Sequence, residues 1–220
     1  MTPLRVVFNW DSTLVTIEGS AALAEHKGID GVAELTNQAM NGEASIQDVF
    51  RQRFALLRPT LKDLEWLAGT YVAHTTPGAR EIVAHLTEAG HQVYVVSAAY
   101  RTAILEPAKQ LGIPAHHICA VDVLFDEQGE AHYDAENVLA SDGGMEVVLA
   151  EIAKAGPTIY IGDSVPDAQA GGAVDLFIGF GGVIPRDEVV SLSPIYVREP
   201  TLMAVETHIE AFAGAPVPAA

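Results

Sequence analysis

Four short apolar runs recur along this chain, and each is followed at once by a polar residue or a glycine. They cover residues 4–8, 92–96, 158–161 and 176–178, and they are rich in valine, isoleucine and aromatic residues. Continuous apolar runs of this length are typical of strands that are buried on both faces of a parallel sheet. The sequence therefore predicts an α/β fold with a doubly wound, mostly parallel sheet and a Rossmann-type core.

Amphipathic helix patterns lie between these runs. One covers residues 76–90, and we expect Thr76 to cap it. A second covers residues 100–111, and a third begins after the glycines at 143–144 with Met145 on its apolar face. The alternation of strands and helices supports the parallel sheet.

Two segments interrupt this alternation. Residues 16–75 carry helix patterns but no strand pattern, and residues 119–133 have the pattern of a hairpin. We therefore expect an α/β core formed by residues 1–15 and 76–212. We also expect an inserted helical cap of residues 16–75 and a flexible tail of residues 213–220.

The charge of the chain limits its partners. Its 29 acidic and 12 basic residues give a formal net charge of −17, which repels nucleic acids. An anionic substrate would need a metal ion or local arginines. The start of the chain lacks the apolar stretch of a signal peptide, and no apolar run reaches the ~20 residues of a membrane span. We expect a cytoplasmic protein without membrane contacts, and the sequence does not indicate its oligomeric state.

Polar side chains follow the predicted strands at one edge of the sheet. Asn9 and Asp11 follow the first run, Ser97 follows the second, and Asp163 and Asp167 follow the third. Ligands of doubly wound sheets bind at this edge. Three carboxylates gathered there would repel one another unless they held a cation, and hard oxygen ligands suit Mg²⁺.

These segments, in this order, resemble the four motifs of haloacid dehalogenase (HAD) superfamily phosphatases. The resemblance is strongest to the phosphoserine-phosphatase branch and extends over nearly the whole chain. The motifs are carried by residues 9–13, 97–99, 141–144 and 162–167. Further matching segments lie at residues 17–19, 39–42, 53–56, 76–78 and 178–182.

The resemblance implies a reaction and its residues. In the family, the first aspartate of the first motif attacks phosphorus and forms an aspartyl-phosphate, and the second works as general acid and base. The second position is Asp11 here. Ser97 would bind a phosphate oxygen, and Asp163 would bind Mg²⁺ with support from Asp167. The implied metal set also includes position 9 and Asp11.

The resemblance also implies a substrate. Glu18 and Arg53 match positions that recognise the amino and carboxylate groups of serine, and Ser97 and Ala98 would contact the same molecule. Arginine binds a carboxylate bidentately, which suits an amino-acid head group. The implied partner is a small phosphorylated metabolite, with phosphoserine as the first candidate and a role in serine biosynthesis. Glu18 and Arg53 could instead form a solvated surface pair.

Two positions depart from the family pattern. Asn9 stands at the nucleophile position, and a carboxamide is a very poor nucleophile. Met145 stands at the position of the lysine that pairs with the nucleophile and the phosphate. Lys154 faces another direction by helical phase, and Arg101 is the best remaining candidate for a replacement cation. We therefore expect a phosphatase by ancestry with little or no turnover.

Three explanations of these departures stay open. Asn9 could be an engineered, nearly isosteric trap, which leaves Met145 unexplained. The chain could have become a catalytically inactive binding or regulatory protein. Losing one negative and one positive charge together leaves the net charge of the site unchanged, which suits a coordinated change. The third motif could also lie elsewhere, with another cation in the role of the lysine. A different HAD reaction, such as phosphotransfer, is a further possibility.

Overall fold

A computed structural model describes residues 3–214. Its central sheet has six strands in the order β3-β2-β1-β6-β7-β8, and every neighbouring pair is parallel. The α/β fold with a doubly wound, mostly parallel sheet is therefore confirmed. The strands are β1 (Arg5–Phe8), β2 (Gln92–Tyr100), β3 (Ile118–Val121), β4 (Val123–Phe125), β5 (Ala131–Tyr133), β6 (Thr158–Gly162), β7 (Leu176–Phe180) and β8 (Ile195–Val197).

Ten α-helices lie in the part of the chain that the structure describes. The first five lie between β1 and β2, and the other five follow later strands of the central sheet or its hairpin. Val6, Val7 and Phe8 of β1 are fully buried, so both faces of the central strand are covered. The helices are α1 (Gly19–Lys27), α2 (Val32–Met40), α3 (Ile46–Leu57), α4 (Leu61–Ala73), α5 (Ala79–Glu88), α6 (Arg101–Gln110), α7 (Gly144–Ala153), α8 (Val165–Ala170), α9 (Asp187–Leu192) and α10 (Glu206–Gly214).

The chain enters and leaves helices α1–α4 through two adjacent segments. Val15 and Thr75 form an isolated antiparallel bridge. On either side of it, the Thr16 N–H donates to the His74 carbonyl (2.8 Å) and the Thr76 N–H donates to the Leu14 carbonyl (3.0 Å). We call residues 14–16 and 74–76 the connecting ribbon. It holds the two ends of the helical insertion side by side.

Three local expectations differ from the structure. Gly78, with a φ of 80°, caps α5, and Thr76 lies two residues earlier in the connecting ribbon. The segment 119–133 is not a hairpin throughout, because residues 118–121 form the edge strand β3 and only β4 and β5 pair antiparallel. Residues 213 and 214 belong to α10, and the rest of the expected tail lies outside the described residues.

The helices of residues 3–214 are all too short or too polar to cross a membrane.

Candidate active site

The predicted site residues meet at the carboxyl edge of the sheet. The Asn9 side chain follows β1, Ser97 lies in β2, and Asp163 follows β6. Asn9 and Ser97 line a cavity of about 40 Å³, and Asp163 lies just behind its wall, within hydrogen-bond reach of the Asn9 amide. Among the residues that line it are Asn9, Asp11, Glu18, Arg53, Ser97, Ala98, Met145 and Asp167.

The loop after β1 turns sharply. Asp11 is extended (φ −61°, ψ 141°), whereas Ser12 adopts the left-handed conformation (φ 51°, ψ 11°). A non-glycine residue in this region costs roughly 1–2 kcal/mol. The Ser12 hydroxyl donates a hydrogen bond to Glu18 Oε1 (2.5 Å), which joins the loop to the start of α1. The turn brings the Asp11 carboxyl close to Glu18 and Tyr71, on the side of the inserted helices.

The orientation of the Asn9 amide is fixed by its neighbours. The Trp10 N–H donates to Asn9 Oδ1 (2.7 Å), so Oδ1 must be the acceptor. The amide nitrogen then donates to Asp167 Oδ2 (3.0 Å) and to Asp163 Oδ1 (3.5 Å). Asn9 therefore places a neutral hydrogen-bond donor between two carboxylates.

The Asp167 carboxylate is fully engaged. Its Oδ1 accepts from the Tyr160 hydroxyl (2.5 Å). Its Oδ2 accepts from the Ser164 hydroxyl (2.6 Å) and from the Ser164 and Asp163 N–H groups (3.0 and 3.1 Å). Ser164 and Asp167 form the capping box of α8, as the spacing Ser-x-x-Asp favours. With the Asn9 amide, Asp167 receives five hydrogen bonds.

The Asp163 carboxylate is buried and less well satisfied. Its Oδ1 accepts from the Thr13 hydroxyl (3.1 Å), while its Oδ2 accepts no hydrogen bond from the described residues. The guanidinium of Arg186 lies nearby, with Nε 3.9 Å from Oδ2. Burial and the charge of Asp167 raise the pKa of Asp163 well above its usual value, and Arg186 and Thr13 oppose this rise.

These donors do not suit a magnesium ion in this arrangement. Within residues 3–214, no three His, Cys, Asp or Glu side chains are grouped so that they could hold a metal. Mg²⁺ is octahedral, keeps several waters and is usually held by one or two carboxylates with free oxygens. Asn9 Oδ1 and both Asp167 oxygens are occupied by protein donors, and the free oxygen of Asp163 faces Arg186. The implied metal site is therefore incomplete.

Asp11 and Glu18 form a second acidic pair, and both line the cavity. Burial, followed by the charge of Glu18, raises the pKa of Asp11 to about 8. Burial also raises the pKa of Glu18, against the hydrogen bond from Ser12 and the charge of Arg53. A carboxyl with a pKa of about 8 is mostly protonated at neutral pH, so Asp11 can donate a proton, as a general acid must.

The remaining predicted ligand-binding residues line the same cavity. Arg53 is 7% exposed and its Nη1 donates to the Thr36 hydroxyl (3.1 Å), so it is not part of a solvated surface pair. Ser97 is 2% exposed, and its hydroxyl accepts from the Ala99 N–H (3.2 Å). Ala98 lies next to it in the cavity wall.

At the third motif, Met145 lines the cavity, whereas the two candidate cations, Lys154 and Arg101, lie outside it. Met145 Sδ is 3.7 Å from the Tyr160 hydroxyl, so a thioether lies where the family has a lysine. Lys154 is exposed and pairs with Glu151. Arg101 was the wrong candidate, because its guanidinium binds the Ala115 carbonyl (3.0 Å) beside β3 and does not line the cavity.

Arg186 is the site residue that sequence reasoning missed. It lies after β7 and before α9, in the loop that begins with Gly181-Gly182. A signal was present, because this loop also leaves the carboxyl edge of a predicted strand and Arg186 is the first charged residue in it.

Several contacts join the inserted helices to the sheet side of the cavity. The Asp142 carboxylate accepts from the Ser45 hydroxyl and from the Ile46 N–H, both at 2.7 Å, at the start of α3. Arg186 Nη1 donates to Asn41 Oδ1 (2.6 Å) at the end of α2. These bonds hold helices α2 and α3 over the cavity.

Comparison with known proteins identifies the family. A model of the family described as haloacid dehalogenase-like hydrolase matches residues 6–171. Phosphoserine phosphatase of Bos taurus is 34% identical over 199 residues, which cover 88% of each chain. The crystal structure of a phosphoserine phosphohydrolase-like protein from Francisella tularensis superposes with a TM-score of 0.82 at 25% identity, covering 93% of this chain and 99% of that one.

A substrate-bound phosphoserine phosphatase complex superposes with a TM-score of 0.83 at 24% identity, covering 94% of this chain and 99% of that chain. This last likeness concerns the fold. The family model and the 34% identical relative each match most of this chain. The chain belongs to the haloacid dehalogenase-like hydrolase family, in its phosphoserine-phosphatase-like branch.

Proposed function

We propose that this chain is a phosphoserine-phosphatase-like hydrolase of small phosphomonoesters that turns over slowly or not at all. The observation that carries the proposal is the position of the Asn9 amide nitrogen, 3.0 Å from Asp167 Oδ2 and 3.5 Å from Asp163 Oδ1. At the nucleophile position the chain thus presents hydrogen-bond donors to its own carboxylates. The covalent aspartyl-phosphate route requires a carboxylate oxygen there.

The loss at Asn9 is compounded at Met145. The nitrogen lone pair of a carboxamide is delocalised, so it does not attack phosphorus. A positioned group that stabilises transition-state charge is worth on the order of 10²–10³ in rate. Met145 supplies no charge, and neither Lys154 nor Arg101 reaches the cavity. Both changes act in the same direction, towards lower turnover.

The pocket for the rest of the ligand retains charged groups of both signs. Glu18, Arg53, Ser97 and Ala98 all line it. We propose that they bind an amino-acid phosphate, with phosphoserine as the first candidate and serine biosynthesis in the cytoplasm as the setting. Asp11, protonated near neutral pH, would face the leaving group of such a ligand.

Helices α1–α4 would act as a cap over this pocket. The cavity of about 40 Å³ is too small for an amino-acid phosphate, whereas a neighbouring cavity of about 280 Å³ shares Ile46, Ala98 and Met145 with it. We propose that a ligand enters through this larger cavity and that the cap (residues 16–75) moves away from the core (residues 1–15 and 76–212) to admit it.

Phosphatases of this family generally use Mg²⁺. In this chain Asp163 would be the principal remaining ligand, with Asp167, Asp11 and the amide oxygen of Asn9 as the other oxygens of the implied set. Because that amide oxygen already accepts from Trp10 and Asp167 is saturated, we propose that the chain as written binds Mg²⁺ weakly.

A non-catalytic binding or regulatory protein is the second candidate. It is favoured by one specific observation, namely that the Asp167 carboxylate is satisfied by five protein donors and needs no further ligand. Such a protein would keep the fold, the cap and the Glu18–Arg53 pocket, and would bind a small anion without releasing phosphate.

Release of inorganic phosphate from phosphoserine and from an aryl phosphate, with and without Mg²⁺, tests the proposal. The proteins are the chain as written, Asn9→Asp, and Asn9→Asp combined with Met145→Lys. Asn9→Asp with Asp163→Asn serves as the matched negative control. We expect Mg²⁺-dependent phosphate release from Asn9→Asp and from Asn9→Asp with Met145→Lys, and faster release from the second of these. We expect none from the negative control and little or none from the chain as written.

If neither of the restored variants, Asn9→Asp and Asn9→Asp with Met145→Lys, releases phosphate, the impaired-phosphatase proposal is refuted and the non-catalytic binding protein becomes the favoured function. Release by the chain as written at the rate of Asn9→Asp would refute the assigned role of position 9. A panel of other phosphate esters on the restored variants distinguishes a different HAD reaction.

A further inference from the structure

A buried guanidinium lies beside the Asp163 carboxylate. The side chain of Arg186 is 6% exposed, that of Asp163 is 1% exposed, and Arg186 Nε lies 3.9 Å from Asp163 Oδ2. We infer that Arg186, helped by the amide of Asn9, is a built-in cation that takes the place of a divalent metal. The site of this chain is therefore held together by protein groups alone.

The charge of Arg186 needs a partner. A guanidinium remains protonated in proteins, and a buried charge is costly unless an opposite charge lies close by. Nη1 of Arg186 is bound to the neutral amide oxygen of Asn41, which provides no charge. Nε and Nη2 make no hydrogen bond within residues 3–214. Arg186 acts on two carboxylates: its charge opposes, as that of Arg53 also does, the rise that burial causes in the pKa of Glu18, and its Nε lies 3.9 Å from Asp163 Oδ2. Because Glu18 already has Arg53 beside it, we take Asp163 as the principal counter-ion of Arg186.

The Asp163 carboxylate also lacks a partner at one of its oxygens. Its neighbour Asp167 is compensated by hydroxyl and N–H donors, but Asp163 Oδ2 accepts none from the residues that the structure describes. With asparagine at position 9, Arg186 faces the one oxygen of Asp163 that accepts no hydrogen bond, and its charge opposes the rise in the Asp163 pKa. An aspartate at position 9 would add a further negative charge that Arg186 alone does not balance.

A divalent cation would compete with Arg186 for the same oxygen. Mg²⁺ binds carboxylate oxygens at about 2.1 Å. An ion at Asp163 Oδ2 would be close to a guanidinium whose Nε is 3.9 Å from that oxygen, and the two cations would repel each other. Removing the charge of Arg186 should therefore create a demand for metal that the chain as written lacks.

Chemical rescue of Arg186→Gln by Mg²⁺ tests this inference. Urea unfolding is followed by circular dichroism in EDTA and in about 10 mM MgCl₂ at matched ionic strength. Arg198→Gln is the control, because Arg198 is exposed and its ion pair with Asp187 is long (3.8 Å). We expect Arg186→Gln to lower the midpoint by roughly 1 M urea in EDTA and Mg²⁺ to restore most of it.

For the chain as written and for Arg198→Gln, we expect Mg²⁺ to leave the midpoint unchanged. The inference is overturned if Mg²⁺ stabilises the unmodified chain as much as Arg186→Gln, or if Arg186→Gln loses no stability in EDTA. The readout is unfolding and not phosphate release, so a failure here is distinguishable from a failure of the proposed function.

A double variant covers the case in which Arg186→Gln does not fold. Arg186→Gln with Asp163→Asn removes both charges of the pair, so it should be more stable than either single variant and should not respond to Mg²⁺. A double variant that is no more stable than the worse of the two single variants would show that Arg186 and Asp163 are not each other's counter-ions.

Discussion

Asn9→Asp should destabilise this protein when no metal is present. The substitution is nearly isosteric, but it replaces the amide nitrogen, which donates to Asp167 Oδ2 (3.0 Å) and Asp163 Oδ1 (3.5 Å), by an oxygen. Two attractive contacts become contacts between oxygens. The chain must then either tolerate three neighbouring negative charges or keep one carboxyl protonated.

The loss in free energy of unfolding is set by whichever of these two responses costs less free energy. At an effective dielectric constant of about 20, unit charges 3.0 and 3.5 Å apart repel by roughly 5 kcal/mol each, or about 10 kcal/mol together. Protonating an ordinary carboxyl costs about 5 kcal/mol at pH ~7.5 and about 2 kcal/mol at pH ~5.5. One carboxyl of the cluster should therefore be protonated, and the free energy of that protonation is the upper limit of the loss in stability.

We expect Asn9→Asp to lower the free energy of unfolding by about 3–5 kcal/mol at pH ~7.5 and by about 1–2 kcal/mol at pH ~5.5. The penalty shrinks on acidification because the native variant binds a proton that the unfolded chain releases above its pKa. Urea unfolding in EDTA at the two pH values measures it. Asn37→Asp, an exposed asparagine on α2, controls for the new charge itself.

Equal unfolding midpoints for Asn9→Asp and Asn37→Asp at pH ~7.5 would refute this reasoning. So would a penalty that is the same at both pH values. Either result would mean that the side chain at position 9 does not lie between the two carboxylates.

Two further predictions concern contacts outside the carboxylate cluster. Asp142→Ala removes the acceptor for the Ser45 hydroxyl and the Ile46 N–H, so it should cost about 1–2 kcal/mol and speed hydrogen exchange of the Ile46 amide; unchanged exchange would contradict it. The hydrogen bond that protonated His85 donates to Glu206 Oε1 raises the pKa of His85 above its usual value, so this contact stabilises the fold at low pH and is lost as the pH rises through the raised pKa. Glu206→Gln should return the His85 pKa in an NMR titration to its usual range, and an unaltered titration would exclude the contact.

The sheet was predictable because its strands have an unambiguous pattern. Val6, Val7 and Phe8 are apolar at consecutive positions and all three are buried, as expected for a central parallel strand. The edge strand β8 has only three residues, Ile195–Val197, and no comparable run to reveal it. The edge strand β3 was read as part of the hairpin, because the apolar run 118–121 continues almost directly into β4.

The convergence of the polar side chains at one edge of the sheet was predictable, but their hydrogen bonds were not. The motif spacing correctly placed Asn9, Asp163 and Asp167 near one another, since parallel strands end at one edge of the sheet. It gave no information on which way the Asn9 amide points, because that depends on the Trp10 N–H. Arg186 comes from a loop distant in the sequence and reaches Asp163 through tertiary packing alone.

The connecting ribbon has a consequence for how proteins of this architecture can diversify. Because residues 14–16 and 74–76 lie side by side, the two ends of the insertion keep the same position beside the sheet whatever the length of chain between them. Lengthening a loop that is already closed adds little entropic cost, only about 0.6 kcal/mol for each doubling. The segment of residues 16–75 can therefore be exchanged or enlarged in evolution while the strands of the central sheet stay in place.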